Sequence, residues 1–301
     1  MTTAAEPKPA SLPLPGGQQG ATVRLHPLLT GRSAAPPAYL HREKGRLAPL
    51  RALGVGVPKS DYLEIPIVAF LVEHPGAGPL LIDTGFHPSV AVDPKQSLGR
   101  VGARAFSPKM DAEEAVAAQL RARGIDAADV RLVVMTHFHI DHASAISEFP
   151  EATFVVNRRE WEAATEPRGW LHGYNTRQFD HAFDYRLVDF DAPAVDSYAT
   201  FGRSYDLLGD GSIRVVSTPG HTHGHMSVVL RLRDREALVA GDAIYTRRAL
   251  EEGVAPSRNE DEHLFWRSLK EIQLFHETRQ DALVIPGHDM GFWRKLDPVY
   301  E

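Results

Sequence analysis

The stretch THFHIDHAS, residues 136–144, places His137, His139, Asp141 and His142 within six residues. Three further segments carry the same side-chain types after apolar runs: His221 in STPGHTHGH, Asp242 in LVAGDAIY and His288 in LVIPGHDM. Imidazole nitrogens and carboxylate oxygens are metal donors, and the chain has no cysteine to add thiolate. Such a set suits Zn²⁺, with Mn²⁺, Fe²⁺ or Co²⁺ as further candidates. His137 and His139 are two apart, so an extended backbone projects both to one side. Asp141 and His142 are adjacent and diverge, so one loop can serve two neighbouring ions. His221, Asp242 and His288 each follow Gly or Pro-Gly, which permits tight turns and close backbone approach. A lone histidine at a strand end is ordinarily a hydrogen-bonded structural residue. Recurrence at four strand ends is what points to a metal.

These donors need strands behind them. ATVRLHPLL reads as a first strand, and IPIVAFLVEH with GPLLIDTG reads as a buried hairpin turned by PGAG. Residues 111–124, DAEEAVAAQLRARG, carry helix signals at both ends, and RLVVM then forms a buried strand that delivers the histidine-rich loop. ATFVVN, SIRVVST, MSVVLRLR, ALVAGD and DALVIPGHD read as strands, and RREWEAAT and DEHLFWRSLKEIQLFHET as helices. This order suits two packed sheets with helices outside. Residues 1–20, rich in Pro, Ala and Gly, read as a flexible tail before a single domain over 21–301. The polar segment 30–60 reads as a long surface excursion.

Composition narrows the function. The chain has 301 residues, 43% hydrophobic and 24% charged, with a formal net charge of −6. No basic run forms a phosphate-binding stripe, which disfavours nucleic acid as a partner. No apolar run approaches the length of a membrane span, and the amino terminus lacks a signal-peptide pattern. The expectation is a soluble cytoplasmic protein.

THFHIDH, PGHTHGH, GD and PGHD, with LIDTG at 81–85, resemble the metal motifs of the metallo-β-lactamase superfamily. The resemblance spans about residue 60 to the end. It implies an α/β fold, an αββα sandwich of two mixed β-sheets flanked by helices. It also implies that His137, His139 and His221 hold one ion, Asp141, His142 and His288 the other, and Asp242 bridges them. Where diiron oxidoreductases of this superfamily place a glutamate, His139 stands, which favours hydrolysis over redox chemistry. A closer likeness, to the N-acyl-homoserine lactonases, rests on PKM at 108–110, on the spacing to the H-x-H-x-D-H loop, on Tyr245 in GDAIY and on the short segment after GHD. It implies a dinuclear hydrolase opening the lactone ring of N-acyl-homoserine lactones (quorum quenching), with Asp141 shuttling a proton and Tyr245 donating a hydrogen bond to the carbonyl or oxyanion. Its partner is then a small-molecule lactone, with a homodimer as the one assembly entertained. The alternatives are a thioesterase of glyoxalase II type, a phosphotriesterase, and, ranked lower, a nuclease or a catalytically silent binding protein.

Other residues receive plainer readings. His223 and His225 are expected in hydrogen-bonding or solvent-facing roles, because the ligand count is already full. Asp83 is expected to orient a ligand histidine or tie the loop. Trp170, His172 and Tyr174 either line a pocket or cover a loop. Phe265 and Trp266 are expected in the core. His26, His41, His74, His87, His181, His263 and His276 have no motif context.

Overall fold

The protein is described from a computed structural model covering residues 4–193 and 195–301. Its strands are β1 (Lys8–Pro9), β2 (Arg24–Ala35), β3 (Leu63–His74), β4 (Gly78–Ile82), β5 (Leu132–Val134), β6 (Thr153–Asn157), β7 (Asp184–Val188), β8 (Asp196–Tyr198), β9 (Phe201–Asp206), β10 (Ile213–Ser217), β11 (Met226–Arg231), β12 (Glu236–Gly241) and β13 (Leu283–Pro286). Its α-helices are α1 (Pro37–Leu40), α2 (Ala48–Ala52), α3 (Pro94–Phe106), α4 (Val116–Ala122), α5 (Arg158–Thr165), α6 (Thr176–Phe179), α7 (Arg247–Glu252), α8 (Glu262–Thr278) and α9 (Met290–Trp293). The strands form two mixed sheets, ordered β1-β7-β6-β5-β4-β3-β2 and β13-β12-β11-β10-β9-β8.

Alternation along the strands builds the layers. In β3, Val68, Phe70 and Val72 face the second sheet and meet Val215, Val228, Leu230, Val239 and Ile285 there. Ala69 and Leu71 point the other way, into a cluster with Val116, Leu120 and Trp161 from the helices covering that face. The second sheet repeats the pattern: Val216, Val229, Leu238 and Val284 turn outward onto Phe265, Leu269, Ile272 and Phe275 of α8. With apolar side chains on both faces, each sheet must be sandwiched between the other sheet and helices, which is the αββα arrangement.

Four expectations are corrected. The described part of the segment expected as a flexible tail lies on the fold. Lys8 and Pro9 pair with Arg186 and Leu187, the Leu14 amide donates to Leu207 O at 2.7 Å, and Ala10, Leu12 and Leu14 pack on the inter-sheet core. The proline-rich composition hid those apolar residues, and a proline is tolerated because β1 is an edge strand. Residues 30–35 belong to β2, continued past an irregularity between Leu29 and Gly31, so only the remainder of 30–60 is an excursion. The helix expected over 111–124 is broken. Asp111 and Glu114 close a capping box around a short 3₁₀ turn, Ala115 is extended at ψ 135°, and α4 starts only at Val116. Phe265 is buried as expected, but Trp266 is 45% exposed, because its neighbour takes the core-facing side of α8.

Among the described residues no helix is long and apolar enough to cross a membrane. A chain lacking residues 1–20 should unfold at a lower temperature, by about 2–4 °C per kcal/mol of packing lost. An unchanged midpoint in calorimetry would show that the segment contributes no net stability.

Candidate metal centre

Strand ends of both sheets converge on one point. The loop after β5 carries His137, His139, Asp141 and His142, while His221, Asp242 and His288 follow β10, β12 and β13 of the other sheet. The donor atoms of His137, His139, His221 and Asp242 lie within 4.8 Å of one another, and those of Asp141, His142 and His288 form a second such group. Each group draws on both sheets. Asp242 faces both groups: Oδ2 lies 3.2 Å from His221 Nε2 and 3.9 Å from His137 Nε2, while Oδ1 lies 3.3 Å from His142 Nε2 and 3.2 Å from His288 Nε2.

Hydrogen bonds on the outer side orient the rings. Asp83 Oδ2 accepts from His142 Nδ1 at 2.8 Å, and the same carboxylate accepts from the amide and hydroxyl of Thr136, each at 2.7 Å. The Thr136 hydroxyl has thereby spent its proton, so it accepts from His137 Nδ1 at 3.1 Å. His139 Nε2 donates to His172 O at 2.8 Å and His288 Nδ1 to Pro66 O at 3.1 Å. These four rings direct their N–H outward and therefore a lone pair inward. His139 Nδ1 and His221 Nε2 face each other at 2.9 Å. His137 Nε2, His142 Nε2 and Asp242 Oδ1 are buried without a well-formed hydrogen bond. Buried lone pairs with no donor are costly unless a cation supplies the positive charge, so the donor set fits a pair of divalent ions.

Electrostatics divide the rings into two kinds. Burial holds His137 and His221 well below the ordinary histidine range, and neighbouring imidazoles add to this. Burial also disfavours charge on His142 and His288, but Asp242 and Asp141 outweigh it and raise both. Burial would raise Asp242, yet His288, His142 and His221 hold it well below the carboxylate range. His225 is not a donor to this centre: burial lowers it to about 3, its Nε2 accepts from the Asp242 amide at 3.0 Å and its Nδ1 meets the Thr218 hydroxyl. His223 faces solvent. Gly287 lets the last loop pass close, since a methyl there would lie 2.6 Å from Asp242 Oδ1.

Tyr245 is 3% exposed, its ring 5.5 Å from that of His221 and 5.1 Å from that of His288. Burial, with Tyr39 and the two aspartates, raises its hydroxyl well above the ordinary tyrosine value. The phenol therefore stays protonated. It looks onto a cavity of about 770 Å³ lined by His139, Asp141, His221, Asp242 and His288 together with Tyr39, Leu53, Tyr62 and Ile65. His172 lines this cavity, Trp170 is 71% exposed, and Tyr174 is buried beside the His139 ring.

Sequence reasoning missed Glu160. It is fully buried in α5. Oε1 accepts from the Phe138 amide at 2.9 Å, between His137 and His139, and Oε2 accepts from the Thr222 hydroxyl at 2.7 Å and the Gly224 amide at 3.2 Å, beside His221. One carboxyl thus ties together the two histidine-bearing loops. Glycine is required at 224, because a Cβ there would lie 2.0 Å from Glu160 N. A glutamate in the first turn of a helix reads as an ordinary dipole-favoured acid, so no sequence signal set it apart. Glu160→Gln keeps the size but replaces an oxygen that can accept even when the carboxyl is protonated with an NH₂ group that cannot. It should cost about 1–3 kcal/mol and loosen metal retention. Burial raises the carboxyl from 4.5 to about 7, so the folded chain holds that proton more tightly than the unfolded one. That contribution is complete below pH 4.5 and is lost as pH rises through about 7. Chemical denaturation across this window should show the wild-type advantage over Glu160→Gln shrinking with rising pH. A gap that does not change with pH would remove the charge argument.

The Metallo-beta-lactamase superfamily profile matches residues 63–288. The chain is 36% identical over 246 residues to the N-acyl homoserine lactonase AttM of Rhizobium radiobacter, covering 80% of this chain and 88% of the relative. It is 38% identical over 238 residues to the AttM of Azorhizobium caulinodans, covering 78% and 85%. Its fold is similar to that of an N-acyl homoserine lactone hydrolase solved with N-hexanoyl-L-homoserine at its catalytic metal centre, with a TM-score of 0.72 at 22% identity, covering 93% of this chain and 100% of the other. With its motifs, its αββα layers and this profile match in agreement, the chain belongs to the metallo-beta-lactamase superfamily.

Proposed function

We propose that this protein is a dinuclear metal-dependent hydrolase that opens the lactone ring of N-acyl-homoserine lactones. The observation that carries the reading is the pair of donor groups meeting at Asp242 beneath the protonated Tyr245 hydroxyl. The AttM relatives, lactonases by name, support the substrate class.

His137, His139 and His221 would hold one ion and Asp141, His142 and His288 the other, with Asp242 between them. Zinc is the favoured metal, since every donor is imidazole or carboxylate. Two such ions supply Lewis acidity toward the ester carbonyl and bring the pKa of water toward neutrality. The chain's own groups do the rest. Asp141, 5% exposed at the cavity floor, takes the proton released as water attacks the carbonyl carbon. It returns that proton to the alkoxide as the ring C–O bond breaks. Tyr245 donates its hydrogen to the carbonyl oxygen as negative charge grows there. The apolar wall of Leu53 and Ile65 holds the acyl chain. The product is the ring-opened acid.

Metal-replete enzyme should turn over N-acyl-homoserine lactone faster than a thioester or a phosphotriester assayed beside it. The reverse order would reassign the reaction to one of those hydrolases. Tyr245→Phe should keep both metals and lower lactone kcat by roughly ten- to a thousandfold; unchanged kcat would take Tyr245 out of the mechanism. Asp242→Asn should lose metal from both groups, because a neutral amide offsets less positive charge. Elemental analysis showing two retained ions would sink the bridging role.

A further inference from the structure

The cavity wall carries charge that the hydrolysis of a neutral lactone does not use. The chain as a whole has a formal net charge of −6, yet Lys59, Arg100, Arg104 and Arg258 all line this cavity. Of the carboxylates there, Asp141 and Asp242 belong to the donor groups. Glu260 accepts from His172 Nδ1 at 2.5 Å and from Arg258 at 3.2 Å, so the charge of Arg258 is matched. Among the described residues, Lys59, Arg100 and Arg104 have no carboxylate partner.

Their placement is built into the fold. Helix α3 is broken at Gly99, whose φ of 70° redirects its second half. That half rides on the donor loop: a Cβ at Gly102 would sit 3.2 Å from Cδ1 of Ile140, the residue between His139 and Asp141. Arg100 and Arg104 flank this contact four residues apart and so share one helix face. Lys59 holds its ammonium 4.0 Å from the centre of the Tyr62 ring, itself part of the cavity wall. Ala35, Pro36, Ala52, Leu53 and Ile65 supply an apolar strip. A ligand with its ring at the donor groups and its chain along that strip meets guanidinium and ammonium groups in the same cavity.

We infer that the cavity selects lactones whose acyl portion carries an anionic group such as a carboxylate, recognised by Arg100, Arg104 and Lys59. The ring end of this inference rests on the lactonase reading. The anionic end rests on the cations alone.

Two lactones of equal chain length test it: N-hexanoyl-homoserine lactone and the monoamide of adipic acid with homoserine lactone. Metal-loaded wild type should favour the anionic one in kcat/KM by about tenfold at low salt, the scale expected of two screened ion pairs. High salt should erode the preference. The Lys59→Ser, Arg100→Ser, Arg104→Ser triple variant should bring the ratio close to one through loss on the anionic substrate. Equal turnover by the wild type, or a preference that survives in the triple variant, would overturn the inference. Calorimetric binding of the two ring-opened acids separates this failure from that of the lactonase reading. Tighter binding of the dicarboxylic acid without turnover of either lactone would overturn the lactonase reading and leave the anionic ligand class standing. Equal binding would overturn the ligand class itself.

Discussion

Imidazoles whose protons are already committed outward cannot be packed around buried carboxylates unless something positive stands between them. That constraint organises this protein. Asp83, the Thr136 hydroxyl, His172 O and Pro66 O each take a proton from the outer side of a ring, and each such bond fixes where a lone pair points. The acceptors come from β3, from the loops after β4 and β5 and from the segment near Gly173, so much of one sheet edge serves to aim a few nitrogens. Asp83 even adopts a left-handed φ of 58° to reach both Thr136 and His142. Such strain persists only where the surroundings over-determine the conformation.

The donors could be read in the sequence because coordination chemistry is carried by residue type. H-x-H-x-D-H, PGH, GD and GHD need no three-dimensional knowledge to be recognised as nitrogen and oxygen donors at strand ends. The strands were legible for a similar reason, since runs such as IVAFLV and SVVL are apolar on both faces and must be buried. What escaped was geometry that residue type does not encode. Glu160 looks like any acid at a helix start, and only the fold reveals that it spans two loops. The break at Ala115 was hidden because DAEEAVAAQ keeps helical spacing through a turn that is not helical. The amino-terminal prolines masked the core contacts of Leu12 and Leu14, and the irregularity at Gly31 disguised the second half of β2.

The division of labour between layers follows. Rigid strands from both sheets present the donors. The cavity wall is assembled from connecting pieces: the excursion after β2, the kinked α3, the turn around His172 and the segment near Glu260. Changes in those pieces alter which molecule fits without disturbing the centre, because the rings are held from behind by hydrogen bonds that the wall does not share. Two rings are exceptions: the outward proton of His139 goes to His172 O, and His221 Nδ1 lies 3.4 Å from the hydroxyl of the cavity residue Tyr245. At those points the wall and the centre are coupled.

Each donor group takes ligands from both sheets, and this reaches beyond catalysis. A cation held by His137 and His139 on one side and His221 on the other would be a non-covalent cross-link between the two halves of the sandwich. The unfolded chain cannot reproduce that arrangement, so occupancy feeds directly into the folding equilibrium. By mass action, an ion present at a hundred times its dissociation constant adds about 2.7 kcal/mol of stability per site. Resistance of the sandwich to unfolding would then be a property of the surrounding medium as well as of the chain. In metal-poor surroundings the two sheets would lose such a clasp between their ends.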